Sequence, residues 1–210
     1  MGSGPAVVPE ERTFIETARR TQIVHAAIDT IAEVGYARAS LARIGARIGI
    51  SKGLIGYHFA GKDELISEVV AKIIAEGKAF MTPRIFAAPP GPAMLRAYVE
   101  SNLGFMREHP NYMVAIGEIR RRGGLTADGQ ERFYGEANID EFSGELENFL
   151  SRIRGAGGLR SDFDPKIMAL AIRAAIDAVA RQLARDRDLD VDGYAKAIAN
   201  IFDLATRVQT

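Results

Sequence analysis

An all-helical fold is what this sequence predicts, and three observations carry that prediction. Apolar residues recur at three- and four-residue spacing along nearly the whole chain, the period of one helix face. No segment sustains the apolar–polar alternation of a strand, and β-branched clusters are rare. Glycine and proline gather at points that divide the periodic stretches into helix lengths. With 210 residues, one or two domains and a sizeable core are expected.

The elements follow in order. Residues 1–12 carry Gly, Pro and acid, with no basic stretch leading into an apolar one; they read as a disordered tail and not as a signal peptide. A first helix is expected over 13–34, where Ile23, Ala27, Ile31 and Val34 fall four, four and three apart. Gly35 is its natural stop. Ser40 is a good N-cap for a second helix over 41–48, ended by Gly49, and Ser51 caps a third, very short one to about 59. Ala60-Gly61 breaks the chain, and Lys62-Asp63-Glu64 opens a fourth helix to about 80. Pro83, Pro89, Pro90 and Pro92 mark a loop and the expected domain seam. Further helices are expected over 94–108, 111–122, 126–154, 165–185 and 191–208, parted by Pro110, Gly123-Gly124 and Gly155–Gly158. The domain division is therefore 13–61, a connecting helix 62–80, and 81–210.

Lys+Arg and Asp+Glu are both 27, so the net charge is zero, but the charge is unevenly spread. Arg19 to Lys62 holds seven basic and two acidic residues, a net of +5; Asp63 to the end nets −3. A basic segment on a neutral chain points to a local polyanion contact. The absence of Cys excludes thiol chemistry and disulfides and suits a reducing cytoplasm. No apolar run reaches the ~18–20 residues of a membrane span. His25, His58 and His109 lie far apart, without metal-ligand spacing. There is no nucleophile elbow, and GAGGLR at 155–160 has neither the strand nor the Gly-Lys-Ser/Thr of a phosphate loop. Asp162 and Asp164 read as a helix-start acid pair, and Arg120-Arg121-Arg122 as a cationic helix end. No catalytic residue, metal or cofactor is expected.

Two short helices joined by a glycine-containing turn form a helix-turn-helix, whose second helix enters a DNA major groove. Leu41, Ile44 and Ile48 make one apolar stripe, Ile50 plugs the turn, and Ile55 and Phe59 pack the third helix back. Gly49 supplies a left-handed turn residue, and Gly45 marks the closest approach of the two helices. Lys52, Gly53, Leu54, Gly56, Tyr57 and His58 are left off the packed face. Arg43 and Arg47, four apart, form either a phosphate-contacting or a merely solvated face.

Residues 35–66, GYARASLARIGARIGISKGLIGYHFAGKDELI, resemble the DNA-binding domain of the TetR family of bacterial transcriptional repressors. The matching features are Gly35-Tyr36, Ser40, Ile44-Gly45, the turn Gly49-Ile50-Ser51-Lys52-Gly53, Tyr57-His58-Phe59 and Lys62-Asp63-Glu64-Leu65. The resemblance covers about the first third of the chain. It implies a phosphate clamp at Lys62, aided by the helix N-terminus. It implies backbone and base-edge contacts from Tyr57 and His58, base readout near Lys52, Gly53 and Leu54, and a phosphate contact at Ser40, with Ser51 in the DNA-facing turn. Where the family usually has an aromatic just before Tyr57, this chain has Gly56. Either weaker backbone anchoring is expected, or compensation from Arg43, Arg47 or the Arg19-Arg20 pair.

The resemblance further implies a ligand-responsive repressor, with 81–210 as effector-binding and dimerisation domain. Its partners would be a palindromic double-stranded DNA operator, a small-molecule effector and a second copy of the chain, with no membrane. Ile172, Ala175, Val179 and Leu183, with Tyr194, Ile198, Ile201 and Ala205, make bundle-type stripes on the last two helices. They are either an internal seam or, as the resemblance implies, a four-helix dimer interface. Tyr98, Asn102, Phe105, Met106, Tyr112, Met113, Ile116, Phe133 and Phe142 supply aromatic, Met and amide groups for an apolar or aromatic effector, with Glu118 a further polar candidate. The rival reading is an all-α ligand-binding or adaptor protein that keeps the helix-turn-helix as scaffold.

Overall fold

The computed structural model describes residues 9–122, 136–156 and 158–208, and all regular structure among them is helical. The order is α1 Pro9–Val34, α2 Leu41–Arg47, α3 Lys52–His58, α4 Lys62–Ala87, α5 Pro92–Glu108, α6 Pro110–Arg122, α7 Glu136–Gly155, α8 Pro165–Leu183 and α9 Val191–Thr206. Side-chain caps fix several starts: Ser40, Ser51, Asp164 and Asp190 each accept backbone amides of the first turn they open. Gly35 and Gly49 close α1 and α2 at φ +80° and +70°.

Two boundaries depart from expectation. The α1 backbone begins at Pro9, inside the expected 1–12 tail. The fourth helix does not stop near 80 but runs through Pro83 to Ala87. Proline removes one helical donor and crowds the carbonyl four residues back. Here it is exposed and near the helix end, and the Arg84 guanidinium folds back to donate to the Phe80 carbonyl at 2.5 Å. The loop is thus only the short stretch before Pro92, and Pro83 is no seam.

The N-terminal core joins Ile23, Ala27 and Ile31 of α1, Ile44 of α2, Ile55 of α3, Phe59, and Leu65 and Ile66 of α4, each at most 1% exposed. It runs without a break into the larger bundle, where α5 packs against α4 and α9, and α7 against α8. Two long helices bridge the halves. α4 packs on α1, α5 and α6, while α6 lies along α1. Among the described residues no helix is long and apolar enough to cross a membrane.

Candidate DNA-binding face and effector cavity

The helix-turn-helix is closed by its own backbone. Ser40 Oγ accepts the Arg43 amide at 3.2 Å, and Ser51 Oγ accepts the Leu54 amide at 3.1 Å. The amides of Ile48 and Ile50 both donate to the Gly45 carbonyl, at 3.1 and 2.9 Å. A Cβ on Gly45 would stand 2.6 Å from the Ile50 carbonyl oxygen, so the turn folds onto α2 with no room for a side chain. With Ile55 and Phe59 buried, α3 turns Lys52, Gly53, Leu54, Gly56 and Tyr57 outward. Tyr57 is 74% exposed, and nothing lies within 4 Å of where a Gly56 Cβ would be. The outward face of α3 is low in its middle and aromatic at its end.

His58 departs from the expected exposure. It sits three residues after Ile55, on the same helix face, and is 9% exposed with its ring against the edge of Tyr57. Its carbonyl accepts a hydrogen bond from Arg20 Nη1. Arg20 also lies 4.3 Å over the Phe59 ring and pairs with Glu64 and Glu68, each at 3.4 Å. It therefore braces α1 against α3 and α4, and is not the spare cation the sequence suggested. Arg47 pairs with Glu33 at 2.5 Å and holds that carboxyl below the usual glutamate value. Arg43 stays exposed, its guanidinium 3.4 Å from the Arg38 carbonyl. Lys62 donates to the Tyr36 carbonyl at 2.7 Å and lies 4.1 Å over the Tyr36 ring. Partial burial holds the pKa of its ammonium below the usual lysine value. The position expected to clamp phosphate thus also ties the start of α4 to the end of α1.

A cavity of about 300 Å³ opens between α4, α5, α6, α7 and α8. Tyr98, Asn102, Phe105, Met106, Met113 and Ile116 line it, as the sequence suggested. Burial pushes the Tyr98 phenol above the usual tyrosine value, an effect Arg173 opposes. Tyr112 does not reach the cavity. Its hydroxyl donates to Glu76 at 2.5 Å and lies 3.3 Å from His25 Nδ1, at the junction of α6, α4 and α1. Glu118 also points elsewhere, accepting the Tyr36 amide at 3.2 Å and pairing with Arg121. Phe133 and the side chain of Phe142 lie outside the described residues. The residues that sequence reading missed come mainly from α4: Val70, Ile73, Ile74, Gly77, Met81 and Ile85. The signal was present, because α4 is apolar on more sides than one neighbour would bury.

The match to known proteins follows this division. Residues 23–69, from mid-α1 into α4, match the model of bacterial regulatory proteins of the tetR family. Over this domain the chain is similar to tetR-family regulators. Over 89 residues it is 34% identical to the HTH-type transcriptional regulator BetI 1 of Chromohalobacter salexigens, a match covering 42% of this chain and 44% of that one. The chain thus spans under half the length of this curated relative. Two solved structures share the fold over most of their length. The fatty acid degradation regulator FadR of Bacillus halodurans has a TM-score of 0.76 at 16% identity, covering 94% of this chain and 96% of its own. SmeT, the repressor of the Stenotrophomonas maltophilia efflux pump SmeDEF, has a TM-score of 0.72 at 23% identity, covering 91% of each. These proteins are regulators.

The expected dimer residues divide in two. Ile172, Val179, Leu183 and Ile198 are buried within the chain, at 9% exposure or less, so most of that stripe is an internal seam. Ala175 and Ala205 are half-buried, Tyr194 is 38% exposed, and Ile201 is 59% exposed. The aliphatic groups left outside are Ile167 and Leu170 of α8 and Ile201 and Leu204 of α9, each more than half exposed. A helical stripe shows which residues share a face, but the rest of the chain decides what covers it.

Proposed function

We propose that this chain is a DNA-binding transcriptional regulator of the cytoplasm. In this reading it is a homodimer that holds a two-fold-symmetric operator through its paired α3 helices, and acts as a repressor that lets go when a small effector with an apolar or aromatic body fills the cavity. The observation that carries the reading is that α4 and α6 each touch both the helix-turn-helix and the cavity. On α6, Met113 and Ile116 face the cavity, while Asn111 donates to Asp29 of α1 at 2.9 Å and Glu118 holds the Tyr36 amide. The Tyr36 carbonyl in turn accepts Lys62 at the head of α4. A ligand that shifts either helix therefore acts on the support of α3, and a population shift between two α3 spacings is the expected switch. DNA contact falls to Tyr57, Lys52, Gly53 and Leu54 on α3, and to Ser40, Arg43 and Lys62 around it, with phosphate contacts positioning and base contacts specifying.

The test is selection from fragmented genomic DNA of the source organism at near-physiological salt, followed by sequencing. The expected result is enrichment of a two-fold-symmetric site whose binding weakens when effector is added. A folded dimer that enriches nothing, even after refolding free of bound ligand, sinks the DNA-binding reading and favours the scaffold alternative.

A further inference from the structure

The charged residues of the cavity do not balance. Six line it: Lys78, Arg120, Glu145, Arg152, Arg173 and Asp177. Lys78 pairs across the cavity with Glu145 at 2.7 Å, joining α4 to α7. Arg173 pairs with Asp177 at 3.2 Å, one turn along α8. That uses both carboxylates. Arg120 of α6 and Arg152 of α7 remain, and among the described residues neither lies within ion-pair reach of a carboxylate. Both are exposed to solvent, so they stand at the edge of the cavity, while its wall is built of Val70, Ile73, Phe105, Met106 and Leu146.

We infer that the effector is an amphipathic anion, with a hydrocarbon body seated against this apolar wall and a carboxylate or phosphate head held by Arg120 and Arg152. The two parts have separate physical causes. Burial of hydrocarbon supplies most of the affinity and does not choose among head groups. Two guanidiniums present planar, permanently charged forks that suit carboxylate or phosphate oxygens and repel an ammonium. The head would bridge α6 and α7, so its binding bears on the helix that also supports Tyr36.

This rests on the cavity being the effector site, and the experiment separates the two claims. Titration calorimetry on the full-length wild-type dimer, below micellar concentration, would compare dodecanoate, dodecyl phosphate, dodecanol and dodecyltrimethylammonium. Dodecanoate or dodecyl phosphate should bind about tenfold more tightly than dodecanol, and the ammonium weakest of all. In an Arg120→Gln/Arg152→Gln double variant that advantage should disappear, while dodecanol binding stays within about twofold. Equal binding of dodecanol and both anions to the wild type overturns the anionic preference and leaves the cavity standing. An anion advantage that survives in the double variant overturns the assignment of the head group to Arg120 and Arg152. If none of the four binds, or if they bind and Met106→Trp, which fills the cavity, leaves their heats unchanged, the effector-site reading fails as well. Whichever anion binds more tightly identifies the head group.

Discussion

Replacing Tyr57 by Ala removes a ring that is 74% exposed and touches little beyond the edge of His58. The melting behaviour should stay within about 0.5 kcal/mol of the parent, as for most exposed positions. Operator affinity should fall at least several-fold in a gel-shift titration. A variant that binds DNA like the parent removes Tyr57 from the interface. Lys62→Ala is a poorer probe of DNA contact, because its ammonium also ties the Tyr36 carbonyl to the head of α4. It should lower operator affinity and thermal stability together, and a loss of affinity alone would show that the brace is idle. Gly45→Ala is the opposite case. Its methyl would stand 2.6 Å from a backbone oxygen, which cannot rotate away as a side chain does. The turn must open, at a cost of about 1–3 kcal/mol in chemical denaturation. A neutral result would mean the turn is looser than its hydrogen bonds imply.

At the scale of elements, the contact between α6 and the helix-turn-helix domain includes polar pairs and is therefore tunable. Burial by itself would raise the Glu76 pKa, but hydrogen bonds from Lys72 and Tyr112 outweigh it and hold the carboxyl below the usual glutamate value. A depressed folded-state pKa contributes stability that is complete above the unfolded value, about 4.3. That stability is lost as pH falls through the folded value. The stability of the parent should therefore drop below pH ~4, and Glu76→Gln should flatten that drop in denaturation curves taken from pH 7 to 3. An unchanged slope would place the acid sensitivity elsewhere. The same junction shows what could be read in advance. Helix starts were legible because Ser40, Ser51, Asp164 and Pro165 act through neighbours in sequence. Pro83 misled because proline's effect depends on where its helix ends and what covers it. Tyr112 and Glu118 read as ligand contacts in the sequence because one residue of rotation on α6 separates the cavity from the α1 contact, and period alone does not assign sides. His58 follows the same rule on α3, where its i+3 relation to Ile55 was visible in the sequence but outweighed by the motif.

The whole molecule presents its least satisfied surface on α8 and α9. Ile167, Leu170, Ile201 and Leu204 leave more than half of their area in water, whereas the neighbouring stripe through Ile172, Val179 and Ile198 is consumed inside the chain. Fully burying an aliphatic side chain of this size is worth about 1.5–3 kcal/mol. Four such groups per subunit, doubled by a two-fold axis, suit the core of an isologous interface. An Ile201→Arg/Leu204→Arg double variant places four like charges across that axis and removes the apolar gain. It should sediment as a monomer while keeping the helical circular dichroism of the parent, because neither side chain supports the internal core. Ile198→Arg, three residues back and 9% exposed, should instead unfold the C-terminal helices, so the two variants separate interface from core. A monomer with an intact helix-turn-helix presents one α3 to one half-site, so its operator binding should collapse even though every DNA-facing residue is unchanged. If Ile201→Arg/Leu204→Arg still sediments as a dimer, the apolar face on α8 and α9 is not the interface. The pairing of recognition helices must then be set by another surface, and the spacing of the operator half-sites would have to be derived from that one.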